Sequence, residues 1–211
     1  MANLEPLIQS IPVAPLKLAS LEGCRTLADQ VNNYLVSFRH ESPTNVGQAD
    51  SLQGYCADSY LLECECPRFG SGEGKGVLKE SVRGCDLFIM VDVTNYSLTY
   101  RVNGYENHMS PDNHYQDLKR IISAADGKAR RINVIMPFLY EGRQHKRSKR
   151  ESLDCALMLQ ELVDMGVSNI LTFDAHDPRV SNSIPLHGFD SFMPTYQFLK
   201  ALVNSVPDFV M

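Results

Sequence analysis

Apolar positions along this chain follow two periods, one of two residues and one near 3.6. Short apolar runs bounded by turn residues occur at 16–19, 60–66, 86–93, 132–136 and 169–173, and each predicts a buried strand. Between them lie amphipathic stretches. Residues 22–36 carry Leu27, Val31, Tyr34 and Leu35 at helical spacing, and 112–125 put Leu118, Ile121, Ile122 and Ala125 on one face. Residues 151–165 predict a helix that buries Leu153, Ala156, Leu157, Leu159, Leu162 and Val163, and 193–203 predict a last helix. Ser110-Pro111 suits an N-cap and first turn, and Gly166 suits a C-terminal cap. Asn103-Gly104 within 96–105 predicts a β-hairpin. Strands alternating with helices predict an α/β fold with a parallel sheet.

Two stretches break the alternation. Residues 37–59 are polar, carry Pro43, Gly47 and Gly54, and read as a loop or insertion. Residues 68–76, Arg-Phe-Gly-Ser-Gly-Glu-Gly-Lys-Gly, contain four glycines but fit neither G-x-G-x-x-G nor a phosphate loop ending in Lys-Ser/Thr. Either a tight connection or a close backbone approach to a ligand accounts for them.

The apolar run 132–136 ends at Pro137 and opens into Arg143, Gln144, His145, Lys146, Arg147, Lys149 and Arg150. In open α/β sheets ligands sit beyond the carboxyl ends of strands, so this cluster is either a solvated charged loop or a site for an anion such as a polyphosphate. The run 169–173 ends in Asp174-Ala175-His176-Asp177. If the two strands are parallel neighbours, both loops share one sheet edge. There an Asp/His/Asp group can hold a hydrated magnesium ion or move a proton, and arginines can grip phosphates. Such equipment suits phosphoryl or pyrophosphoryl transfer. A hydrogen-bonded strand-end residue is the structural alternative for His176. His40, His108, His114 and His187 read as surface or structural.

Composition narrows the classes. The 211 residues carry a net charge of −5, which gives nucleic-acid binding no global support. Residues 1–15 form a tail broken by Pro6, Pro12 and Pro15, without the basic start of an export signal, and no apolar run approaches the ~20 residues that span a membrane. Six cysteines lack any C-x-x-C pair, and reduced thiols in a cytoplasmic protein are expected. There is no G-x-S-x-G, and no cysteine has an activating neighbour in sequence.

Four motifs in order resemble the N-terminal half of the ribose-phosphate pyrophosphokinase (phosphoribosyl pyrophosphate synthetase) family, from about Leu16 to Phe192. Leu16-Lys-Leu-Ala19 is similar to its opening strand. Arg68-Phe69-x-x-Gly72-Glu73, followed by Val82-Arg-Gly84, is similar to its Arg-Phe-Ser-Asp-Gly-Glu…Val-Arg-Gly segment. Pro137-Phe138 through Arg143-Gln144 resembles its Pro-Tyr…Ala-Arg-Gln-Asp loop, and Asp174-Ala-His176 its Asp-Leu-His. The resemblance implies a phosphoribosyltransferase-like three-layer α/β sandwich with a mainly parallel sheet, spanning 16–211 as one domain of two. It implies transfer of the diphosphoryl group of Mg-ATP to ribose 5-phosphate, giving phosphoribosyl pyrophosphate and AMP, in homo-oligomers from dimer to hexamer. By position, Phe69, Ser71 and Glu73 would meet the adenine across a subunit boundary, and Arg143, Gln144 and His145 the nucleotide. His176 would be catalytic and, with Asp177, would hold Mg2+.

The departures are specific. Ser71 stands where the pattern has Asp, His145 where Asp follows Arg-Gln, and Asp177 where Ala is usual. Pro178 to Ser183 replaces a Gln-Ile-Gln-Gly-Phe-Phe segment, and 37–59 and 94–109 are longer. The second domain's acidic ribose-5-phosphate loop is absent from this sequence. The expectation is an ATP-side half of a longer enzyme that turns over little alone. The alternative is a non-catalytic assembly module like the proteins that associate with such synthetases.

Overall fold

The structure, a computed structural model, describes residues 14–41 and 56–206. Residues 1–13 of the tail and 42–55 of the 37–59 stretch therefore lie outside the described residues. Six strands form one sheet: β1 (Leu16–Ser20), β2 (Leu61–Leu62), β5 (Asp86–Met90), β8 (Arg131–Ile135), β9 (Val167–Phe173) and β10 (Gly188–Phe192). Their order is β10-β9-β8-β5-β1-β2, and every neighbouring pair is parallel. Crossover connections run from β5 through α2 (Pro111–Ala124) to β8, and from β8 through α3 (Asp154–Asp164) to β9. α1 (Arg25–Glu41) follows β1, and α4 (Thr195–Ser205) follows β10. Among the described residues, no helix is long and apolar enough to cross a membrane.

The sheet has a large core on one face, where Leu87, Ile89, Val134 and Ile170 meet Leu118, Ile121, Leu159 and Leu162 of α2 and α3. The other face packs Leu18 and Met90 against Cys24, just before α1, and Ala28 in its first turn. The capping box at Ser110 is present: its Oγ accepts from the Asn113 N–H, and the Asn113 side chain accepts from the Ser110 N–H.

The structure redraws several boundaries. The 60–66 run splits: β2 joins β1 in the main sheet, while β3 (Cys64–Glu65) pairs antiparallel with β4 (Val77–Leu78). α3 starts at Asp154 rather than 151, and its buried side chains are Cys155, Met158, Leu159 and Leu162; Leu157 is exposed. α1 begins after a 3-10 turn at Glu22–Cys24 and turns Ala28 and Asn32 inward, leaving Leu27 and Tyr34 outside. Asn32 is there because its Oδ1 accepts the Tyr60 N–H at 2.8 Å, which a leucine cannot do. α4 runs Thr195–Ser205, two residues later than expected, and buries no side chain; Tyr196 and Phe198 are each 70% exposed.

The predicted hairpin forms as β6 (Thr99–Val102) and β7 (Tyr105–His108). Asn103 and Gly104 both take positive φ, 50° and 85°, as a two-residue turn matched to strand twist requires.

Candidate functional site

β8 and β9 are adjacent and parallel, so the loops that leave them meet at the carboxyl edge of the sheet. Between those loops lies a cleft of about 330 Å³, lined by Phe138, Leu139, Gly142, Arg143, Phe173, Asp174, Ala175 and His176. Every lining residue comes from one of the two motifs that the sequence placed there.

Local contacts hold each wall. On the β8 side, the Tyr140 hydroxyl donates to Asp112 at 2.6 Å and its ring stacks on Tyr115 at 4.6 Å, tying the loop to α2. Burial, with help from Asp112, pushes the Tyr140 hydroxyl well above the usual phenol range. Glu141 adopts φ 54°, and its carbonyl accepts the Gln144 N–H at 2.8 Å. The Gln144 carbonyl in turn accepts the Cys155 N–H at 3.4 Å, in the first turn of α3. On the β9 side Asp174 takes φ 45°; its N–H donates to the Phe192 carbonyl at 2.9 Å, and the Ala175 N–H to Ser191 Oγ at 3.0 Å. Left-handed backbone at a non-glycine residue is costly, and both walls of the cleft contain one.

His145 and Asp177 lie just beside the cleft. Their Nε2 and Oδ2 atoms are 3.5 Å apart, and the His145 ring meets His176 edge-on at 5.1 Å between centroids. Asp177 also takes the Arg179 guanidinium and backbone N–H, which hold its carboxyl well below the usual carboxylate range. Arg143, Gln144, Lys146, Arg147, Lys149 and Arg150 are exposed. Among the described residues, none of those five cations is in a salt bridge with a carboxylate.

Phe69, Ser71 and Glu73 are elsewhere. They form a tight turn in which the Phe69 N–H donates to the Glu73 carbonyl at 2.7 Å and Ser71 Oγ to Glu73 Oε2 at 2.7 Å, leaving the Phe69 ring 53% exposed. Arg68 fixes the root of the turn by two 2.7 Å hydrogen bonds to Asp117 of α2, which Arg120 also approaches at 2.6 Å. None of these turn residues lines the cleft.

A second cavity, about 250 Å³, is one the sequence did not reveal. It lies by the carboxyl end of β1, where the strand order reverses, and is lined by Leu21, Cys64, Cys66, Met109, His114 and Asp117 among others. Its polar side chains are largely spoken for. His114 is buried with its Nε2 at 2.6 Å from the Asn95 carbonyl, and burial pushes Cys64 up to about 11 and Cys66 up to about 12. Such thiols are poor nucleophiles at neutral pH.

No group of three or more His, Cys, Asp or Glu among the described residues is arranged to hold a metal ion. Magnesium commonly needs only one or two carboxylates when phosphates complete its shell. Asp174, on the cleft wall, offers a hard oxygen ligand of that kind.

Residues 16–166 match the family model described as the N-terminal domain of ribose phosphate pyrophosphokinase. The chain belongs to that family. It is 29% identical over 167 residues to a ribose-phosphate pyrophosphokinase of Corynebacterium ammoniagenes, covering 78% of this chain and 41% of that protein. Against the Bacillus caldolyticus enzyme of the same name it is 30% identical over 122 residues, covering 57% of this chain and 34% of the relative. The crystal structure of phosphoribosylpyrophosphate synthetase from Mycobacterium smegmatis superimposes with a TM-score of 0.68 at 21% identity, over 90% of this chain and 52% of that one. This likeness shows a shared α/β fold. The chain spans about two fifths of the length of the first of these relatives.

Proposed function

We propose that this chain is the nucleotide-binding half of a ribose-phosphate pyrophosphokinase. The observation that carries the reading is the cleft between the β8 and β9 loops, where Arg143 and His176 face one space beside four further exposed cations without carboxylate partners. In the proposed reaction the 1-hydroxyl of ribose 5-phosphate attacks the β-phosphorus of ATP. The bond from that phosphorus to the α–β bridging oxygen breaks, the hydroxyl proton is lost to solvent or a base, and AMP leaves. Arg143 neutralises phosphate oxygens through a two-pronged donor, and Gln144 supplies an amide to the nucleotide. His176 donates to the phosphate chain from the opposite wall. Magnesium, when bound with the nucleotide, would supply charge neutralisation on the phosphates, and Asp174 is the wall residue suited to touch it. Phe69 offers a ring face for stacking and Glu73 an acceptor for an amine, from a turn that a second copy of the chain would have to present. The ribose 5-phosphate site lies outside the described residues in this proposal, so the chain alone turns over little.

One observation favours a second reading, a non-catalytic assembly module. Ser71 Oγ occupies Glu73 Oε2, so part of the acceptor expected to meet adenine is used internally.

Calorimetric titration of Mg-ATP into wild type, Arg143→Ala and His176→Ala separates the two. The nucleotide-site reading expects saturable binding that each variant weakens by about tenfold or more, the loss of a charge-assisted hydrogen bond. Absent or variant-independent binding favours the module.

A further inference from the structure

We propose that Asp177 is a positioning residue for His145, so that the cleft meets its anionic ligand with two imidazoles, His145 and His176, beside the Arg143 guanidinium. This inference rests on the nucleotide-site reading and assigns Asp177 a task other than holding metal. The first support is how fully the carboxylate is used. A carboxylate has about four lone-pair directions. Oδ1 accepts the Arg179 backbone N–H at 3.0 Å and Nε at 2.9 Å, and Oδ2 accepts Nη2 at 2.6 Å. Oδ2 also accepts Nε at 3.2 Å, and His145 Nε2 stands 3.5 Å from it, at ion-pair distance. Arg179 is 79% exposed, so its guanidinium covers the carboxylate from the solvent side, while the Asp177 and His145 side chains are each only 12% exposed.

The second support is the imidazole itself. Nδ1 of His145 lies 3.1 Å from the Arg143 carbonyl while Nε2 faces Asp177. With Nδ1 held by that carbonyl and Nε2 turned toward the carboxylate, the ring stands edge-on to His176, 5.1 Å away and inclined by 62°. The Arg143 whose carbonyl orients His145 is also the residue whose side chain lines the cleft.

The test uses inorganic pyrophosphate as the probe, titrated calorimetrically in EDTA, with Mg-ATP run in parallel. Asp177→Asn is the informative substitution, because the amide oxygen can still cap the 3-10 turn at Pro178–Ser183; circular dichroism and the melting temperature confirm folding. A group that acts only through a neighbour loses its effect once that neighbour is gone. Asp177→Asn and His145→Ala are therefore each expected to weaken pyrophosphate binding by about three- to tenfold, with the double variant no weaker than His145→Ala alone. Three outcomes overturn the inference while leaving the nucleotide reading in place: Asp177→Asn binds like wild type, it still weakens binding in the His145→Ala background, or it weakens binding only when magnesium is present. If wild type binds neither probe, the nucleotide reading falls and this inference falls with it.

Discussion

The two ends of the sheet solve opposite problems. Toward the amino end, Asp86, Arg131, Asn133 and Asn169 form a cross-strand ladder. Arg131 grips Asp86 with Nε at 2.8 Å and Nη2 at 2.5 Å, Asn133 Nδ2 reaches the same carboxylate at 2.7 Å, and Asn169 Nδ2 reaches Asn133 Oδ1 at 2.6 Å. Every charge there has a partner, and Asn133 is 1% exposed. Toward the carboxyl end, cations stand without carboxylates and two non-glycine residues, Glu141 and Asp174, hold positive φ. Buried polar groups that satisfy one another make the sheet rigid. Groups left over at the other end remain free for a ligand, and strain is tolerated there because the rigid end fixes the strands that carry it.

The comparison breaks most visibly at Asp86. Asp86→Ala leaves the buried Asn133 amide and the Arg131 guanidinium without their acceptor, and is expected to cost about 3 kcal/mol in urea unfolding. A loss below about 1 kcal/mol would mean the ladder is decorative. At the opposite end Arg143→Ala should leave stability within about 0.5 kcal/mol while reducing Mg-ATP affinity by about tenfold or more. If its melting temperature fell together with its affinity, the division of labour between the ends would be wrong.

Glu141 gives a pH test of the carboxyl end. Burial, then Asp154 and Asp112, raise its carboxyl above the usual range. A raised carboxyl favours folding while protonated, and that contribution is lost as pH rises through the folded value. Glu141→Gln keeps the backbone and removes the charge. It should be more stable than wild type at pH 7, with the advantage vanishing as pH falls below about 4.3, the ordinary glutamate value; a constant difference in melting temperature between pH 7 and pH 4 would refute it. The smallest effect concerns thiols. Cys56 is exposed, whereas Cys24, Cys64, Cys85 and Cys155 are buried and Cys66 half-buried. Native protein at pH 8 should release about one equivalent quickly from a disulfide reagent and the rest on unfolding; a Cys56→Ser variant that still reacts fast would contradict this placement.

Sequence alone determined much of this protein: the βα alternation, the Ser110-Pro111 cap, the Asn103-Gly104 turn, and a basic loop and an Asp-Ala-His loop at two strand ends. These signals are local, since a cap, a turn or a strand end is specified by residues within a few positions of one another. Tertiary structure decided the rest. It made β8 and β9 neighbours, put Leu157 outside α3 and Asn32 inside α1, and left α4 without a buried side chain. Helical periodicity shows that an apolar face exists, but what opposes that face depends on residues far away in the chain. The contact of His145 with Asp177, across 32 positions of sequence, is of the same kind. Each residue alone is a departure from a pattern, and only the fold, by pairing two parallel strands, brings the two within reach.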